Sequence, residues 1–194
     1  EGHAHLLNDH PEVAATSWLS LSLVPRTLET SGLTREQAAR TAENLASKAG
    51  QRSIKVEARR VLAELAEGAG RHDEAAEWVR LGRSASPEFC LPLLGVILAD
   101  ARFSLSRGDR ARCRACLDEL DALPVGSTRP TVLGVLQRAE LAVADEDWEA
   151  TGLAADRALR LARDLDWLMV EWAAEALAAG VYGEERRWGA AARS

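Results

Sequence analysis

Cys113 and Cys116 form a Cys-x-x-Cys whose thiols share one helical face, a spacing that could serve a metal or a redox couple. A tetrahedral zinc site needs two more ligands, and Cys90 is the only other cysteine, so small buried packing residues are the better reading. His3, His5 and His10 gather at the amino end, where a His-x-His pair could hold a divalent metal, although a frayed terminus accounts for them more simply. His72-Asp73-Glu74 sets an imidazole beside carboxylates but offers no Ser or Cys nucleophile, and reads as a solvated turn. The many carboxylates stand three or four residues from arginines, as Glu57 does from Arg60, which is ordinary helix-surface pairing. No Gly-rich loop ends in Gly-Lys-Ser/Thr, and no Gly-x-Gly-x-x-Gly occurs, so nucleotide phosphates have no cradle. The expectation is a chain that is not an enzyme, with no catalytic residue, metal or cofactor.

The elements that would position these side chains repeat. Gly70-Arg71-His72-Asp73-Glu74-Ala75, Gly108-Asp109-Arg110-Ala111-Arg112-Cys113 and Glu146-Asp147-Trp148-Glu149-Ala150-Thr151 begin 38 residues apart both times. Ahead of each turn stand Ala63, Ala101 and Ala139, then Leu65, Phe103 and Leu141; after it come Ala75, Cys113 and Thr151, then Gly82, Leu120 and Ala158. A small residue on one helix admits a large one from its neighbour, and spacings of three and four keep both on one face. A weaker copy starts at Leu33, where Thr34 and Gln37 make a capping box, and a further turn is expected at Gly183-Glu184-Glu185. The predicted helices are 11–30, 34–49, 53–68, 72–85, 91–107, 109–122, 130–145, 147–164, 167–181 and 184–193. Trp78 and Trp148 fall where aromatics would pack between repeats, and Trp167, Trp172 and Trp188 crowd the last one.

The small-residue first helix, the Gly-Asp turn and the Ala or Cys opening the second helix resemble the tetratricopeptide repeat, on Ala63, Gly70 and Ala75 and on Ala101, Gly108-Asp109 and Cys113. The likeness covers roughly residues 33–194; the Trp and Tyr usual in that family's first helix are absent, and the period is longer. It is similar in this to the degenerate repeats in the helical arms of bacterial transcriptional regulators and signal-transduction ATPases. The fold implied is all-α, a right-handed α-solenoid of antiparallel helix pairs, with 1–32 as an amino-terminal segment and 33–194 as the array. In that family the first helices line a concave groove. The residues projected there are Arg60, Glu64, Leu98, Arg102, Leu105, Leu136, Gln137, Glu140, Val143 and Leu177, accompanied by Glu57, Val61, Ala99, Val170 and Ala173. Only Arg60 and Arg102 could clamp a terminal carboxylate, so an amphipathic helix, or another part of the parent chain, suits this groove better. The function implied is a protein-interaction scaffold, a regulatory arm of a larger regulator; the alternative is a small-molecule sensor using the same apolar groove, and Leu98, Leu136 and Leu177 read equally well as core.

Composition agrees with that class. The 194 residues carry 30 acidic against 24 basic side chains, a net charge of −6 scattered in sign rather than blocked. A nucleic-acid surface would show a basic stripe, so direct nucleic-acid binding is not expected. The longest apolar run, 91–99, falls far short of the roughly 20 residues that span a bilayer. Three cysteines are too few for a disulfide framework and fit a reducing, cytoplasmic setting. The first residues form no signal peptide and include no initiating Met, from which a piece of a longer protein is expected.

Overall fold

The computed structural model describes residues 10–23, 34–85, 91–123 and 128–191, except the side chains of 182 and 184–191. Every regular element among them is a helix: α1 Pro11–Ser22, α2 Arg35–Lys48, α3 Arg52–Gly68, α4 His72–Ser84, α5 Leu91–Ser106, α6 Arg110–Ala122, α7 Arg129–Ala144, α8 Trp148–Asp164 and α9 Leu168–Ala191. None is long and apolar enough to cross a membrane. The chain divides into two compact units, Glu1–Asp100 and Ala101–Ser194, the boundary falling inside α5.

The turns are built alike. Gly50, Gly70, Gly108, Glu146 and Asp166 have φ between 51° and 79°, the left-handed conformation that ends a helix. After each, one N–H returns to the carbonyl five residues back: Gln51 to Ala46, Arg71 to Ala66, Asp147 to Ala142 and Trp167 to Ala162 at 2.9 Å, and Asp109 to Ser104 at 2.8 Å. That bond satisfies a carbonyl the helix end would otherwise orphan and turns the chain within three residues. Two of the helices that follow start on side-chain caps: Asp109 accepts from the Arg112 N–H and Asp147 from the Ala150 N–H. Thr34 and Gln37 close the expected capping box, at 3.1 and 2.9 Å.

In the first unit α1 packs on α2 and α3, α2 on α3, and α3 on α4. Ala39, Val61 and Leu62 are buried together, with Leu19, Leu65 and Trp78 against them. Gly82 marks the closest approach of α4 to α5, where a Cβ would come within 3.2 Å of the Val96 methyls. In the second unit α7 packs on α6, α8 and α9, and α8 on α9. Its core joins Val132, Val135 and Leu136 of α7 to Ala158 and Ala162 of α8 and Val170 and Ala174 of α9. The aligned positions Ala63, Ala101 and Ala139, and likewise Ala75, Cys113 and Thr151, are fully buried.

Two expectations about helix limits are corrected. α1 ends at Ser22 because Pro25 would clash with the preceding turn, and Arg35 Nε donates to the Ser22 carbonyl at 2.8 Å. The part of the expected first helix over 24–30 lies outside the described residues. No turn occurs at Gly183: α9 runs unbroken from Leu168 to Ala191. A glycine in a helix costs about 1 kcal/mol, and no Ser, Thr, Asp, Asn or Pro beside Gly183 offers a competing start, so the surrounding Ala, Glu and Arg carry the helix through.

Candidate protein-docking surface

The residues projected onto a groove fall into both units. In the first, Arg60 is clamped between Glu57 at 2.6 Å and Glu64 at 2.8 Å. Burial disfavours its charge, but the bonds to Glu57 and the charge of Glu64 outweigh this and hold the guanidinium more firmly protonated than usual. Its stem lies against Gly95 of α5, where a Cβ would meet Arg60 Cδ at 2.7 Å. Arg60 is thus committed to its own helix and to Gly95 of α5. Leu98 is 9% exposed, while Val61 and Ala99 are more deeply buried.

In the second unit Leu136 is also 9% exposed and belongs to the core, and Leu177 and Ala173 pack on the same cluster. Of the two readings left open for Leu136 and Leu177, their packing favours core: the small residues Ala158, Ala162 and Ala174 let these leucines enter between helices. Val170 is buried with them, and Leu105 and Val143 are half-buried. Gln137 is 7% exposed and its Nε2 has no hydrogen-bond partner. One turn on, Glu140 reaches solvent, yet desolvation by its crowded surroundings raises its pKa against the opposing pull of Arg102. Arg102 stands over the Phe103 ring at 5.5 Å.

Of the candidate chemical groups, the two cysteines pack inside and the described histidines lie at exposed helix starts. Cys113 and Cys116 are buried free thiols, and burial pushes the Cys113 thiol up, away from the reactive thiolate. His72 Nδ1 sits 2.9 Å from Glu67 at an exposed helix start. His10 is exposed beside Glu12, whereas His3, His5 and Cys90 lie outside the described residues. Among the described residues no group of three or more His, Cys, Asp and Glu is placed to hold a metal ion. Trp78 and Trp148 are half-buried, as is Trp167, over whose ring Arg129 stands at 5.3 Å; the side chain of Trp188 lies outside the described residues.

What reaches solvent instead is an apolar surface on α8 and α9. Leu153 is 66% exposed, Leu168 55%, Met169 68% and Trp172 58%. Leu168, Met169 and Trp172 share one face of α9, which continues through exposed Ala176, Ala179 and Gly180. Between α8 and α9 lies a shallow depression of about 220 Å³. Trp148, Glu149, Gly152, Leu153 and Asp156 of α8 face Ala178 and Val181 of α9 across it.

No family model matches this chain, and neither a curated protein nor a solved structure matches it significantly. Function therefore has to be argued from the surface itself. Sequence reasoning noted Trp172 with Trp167 and Trp188 as crowding the last repeat, and missed Leu153, Glu149 and Asp156. The signal was present, since the buried stripe of α8 is Thr151, Ala155, Ala158 and Ala162, and Leu153 falls off it.

A second concavity of about 310 Å³ in the same unit is walled by Arg114 and Asp118 of α6, Arg138 of α7 and Asp145 and Asp147 before α8. Its charges largely neutralise one another: Arg114 meets Asp145 at 2.6 Å, and Arg138 meets Asp118 at 3.0 Å and Asp121 at 2.7 Å. Those pairs join helix to helix and leave less for a ligand.

Proposed function

We propose that this chain is a protein-interaction scaffold, a tetratricopeptide-like, right-handed α-solenoid of antiparallel helix pairs that serves as an arm of a larger bacterial regulator in the cytoplasm. Its partner is another protein or peptide helix rather than a nucleic acid or a membrane. Support for the architecture comes from the equivalent left-handed turns at Gly70, Gly108 and Glu146, 38 residues apart, each followed by the same five-residue return bond. The single observation that carries binding is the exposure of Leu168, Met169 and Trp172 on one face of α9. Large apolar side chains grouped on one helix face, as Leu168, Met169 and Trp172 are on α9, are the usual mark of a protein contact. The dockable surface in this reading lies on α8 and α9, because the leucines first assigned to a groove are engaged in packing.

The test is affinity capture with the full chain, wild type beside Met169→Lys/Trp172→Lys. Both replaced side chains are more than half exposed, so the helical circular dichroism and melting temperature should stay unchanged. A discrete polypeptide retained by the wild type and lost from the variant is the expected result. Identical retention by both proteins would sink the reading.

A further inference from the structure

The depression between α8 and α9 has a charge as well as a shape. Glu149 and Asp156 are its only charged lining groups, both are exposed carboxylates, and neither has an ion-pair partner among the described residues. They stand seven residues apart on α8, two helical turns or about 10 Å, with Leu153 between them on the same face. Trp148, Gly152, Ala178 and Val181 supply the apolar floor. Gly152 lies beside Val181 across that floor, where a Cβ would make ordinary contact with a Val181 methyl at 3.8 Å.

The chain carries its own precedent for what such carboxylates hold. Stepping back from Glu149 by 38, 38 and then 37 residues reaches Glu36 in the first turn of α2, and the same steps carry Asp156 to Glu43. Both equivalents are paired with arginines of later helices or turns. Glu36 takes Arg71, the residue just before α4, at 2.7 Å, and Glu43 takes Arg59 of α3 at 2.7 Å. Arg71 and Arg40 also share Glu74 of α4, and Trp78 of α4 lies beneath the Arg40 guanidinium. A helix opening on a cation and presenting an apolar side chain is therefore what this chain sets against α2. On α8 no described element does so, because α9 continues straight past Gly183 instead of turning back.

We infer that the α8–α9 depression is the docking site for an amphipathic, basic helix of a partner protein. That helix carries Arg or Lys at two positions seven residues apart, to meet Glu149 and Asp156, and a Leu or aromatic side chain midway, to pack on Leu153, Trp148 and Val181. The inference rests on the scaffold reading above and gives that surface a partner class. Free carboxylates bordering an apolar floor select cations flanking an apolar knob and repel acidic helices, so charge sets specificity while apolar contact supplies most of the affinity. The contact should weaken as salt rises, since the carboxylates are exposed.

The test uses the full chain and two synthetic 16-residue helical peptides with Leu at the midway positions, one with Arg and one with Glu at the paired positions, read by fluorescence anisotropy. The Arg peptide should bind the wild type, and Glu149→Arg/Asp156→Arg should weaken it at least tenfold while admitting the Glu peptide. Glu149→Gln/Asp156→Asn should weaken the Arg peptide without admitting the other, which keeps the test valid if the reversed variant folds poorly. Equal binding of both peptides, or binding of neither, overturns the proposal. So does a wild-type dimer in light scattering that dissociates in Glu149→Arg/Asp156→Arg, which would make a second copy the occupant. Capture of a partner that depends on Trp172 but not on Glu149 or Asp156 would overturn it while leaving the scaffold reading standing.

Discussion

A left-handed residue costs an ordinary L-amino acid about 1 kcal/mol or more because its Cβ crowds the following carbonyl, and glycine escapes this. Three of the five turns use glycine; Glu146 and Asp166 do not. Glu146→Gly and Asp166→Gly should each raise stability by about 0.5–1 kcal/mol in chemical denaturation, and Gly108→Ala should lower it by a similar amount or more. Acid behaviour separates two other carboxylates. The hydrogen bonds from Arg71 and then Arg40 hold Glu36 below the usual carboxylate range, so its contribution is present at neutral pH and is lost as pH falls through that lowered value. Glu36→Gln should thus cost about 0.5–1 kcal/mol at pH 7 and little once the pH has fallen below that lowered value. Glu140 is raised by desolvation, which reverses the sign: its protonated form suits the fold, and that advantage fades as pH climbs through the raised value. Glu140→Gln should stabilise at neutral pH and make little difference once the wild-type side chain is protonated, as urea melts at the two pH values would report.

At the scale of single helices, stability comes from caps and from alternation of small and large residues. Thr34→Ala removes the side-chain oxygen that accepts from the Gln37 N–H, and should cost the first unit about 1 kcal/mol. Leu120 stands where the neighbouring repeats carry Gly82 and Ala158, and it is fully buried. Leu120→Ala should cost about 2–5 kcal/mol, because α6 cannot close over the void left by the lost side chain. Both follow from thermal or denaturant melts. The seven-residue spacing of Glu149 and Asp156 also belongs here: on a helix it sets both carboxylates on one side, with Leu153 between them, and turns three unremarkable surface residues into a directional pattern.

For the molecule as a whole, the decisive division is between apolar side chains spent inside and those left outside. Leu136 closes the core of the second unit, so Leu136→Glu should unfold that unit, with loss of helical circular dichroism, because a carboxylate cannot be buried there unpaired. Trp172→Lys should leave the same signal and the melting temperature intact while removing a docking contact. Comparing Leu136→Glu with Trp172→Lys in one melt separates the structural apolar set from the functional one.

Local chemistry was enough to read most of the fold from the residues alone. The capping box at Thr34, the glycines at 50, 70 and 108, and the small residues recurring at 38-residue steps are all settled within a few neighbours along the chain, so helices and turns could be assigned before any packing was known. Pro25, which ends α1 early, and the weak punctuation at Gly183, which α9 overrides, were also written there but needed the competing energies weighed. The assignment of Leu98, Leu136 and Leu177 to groove or core was not local. A leucine on a helix face has the same pattern whether a neighbouring helix or water covers it, and only the approach of α8 and α9 over α7 decided that Leu136 is inside while Leu153 and Trp172 are out. The same holds for Glu149 and Asp156, whose sequence resembles many paired surface carboxylates and whose lack of an ion-pair partner among the described residues appears only once those residues are placed in three dimensions.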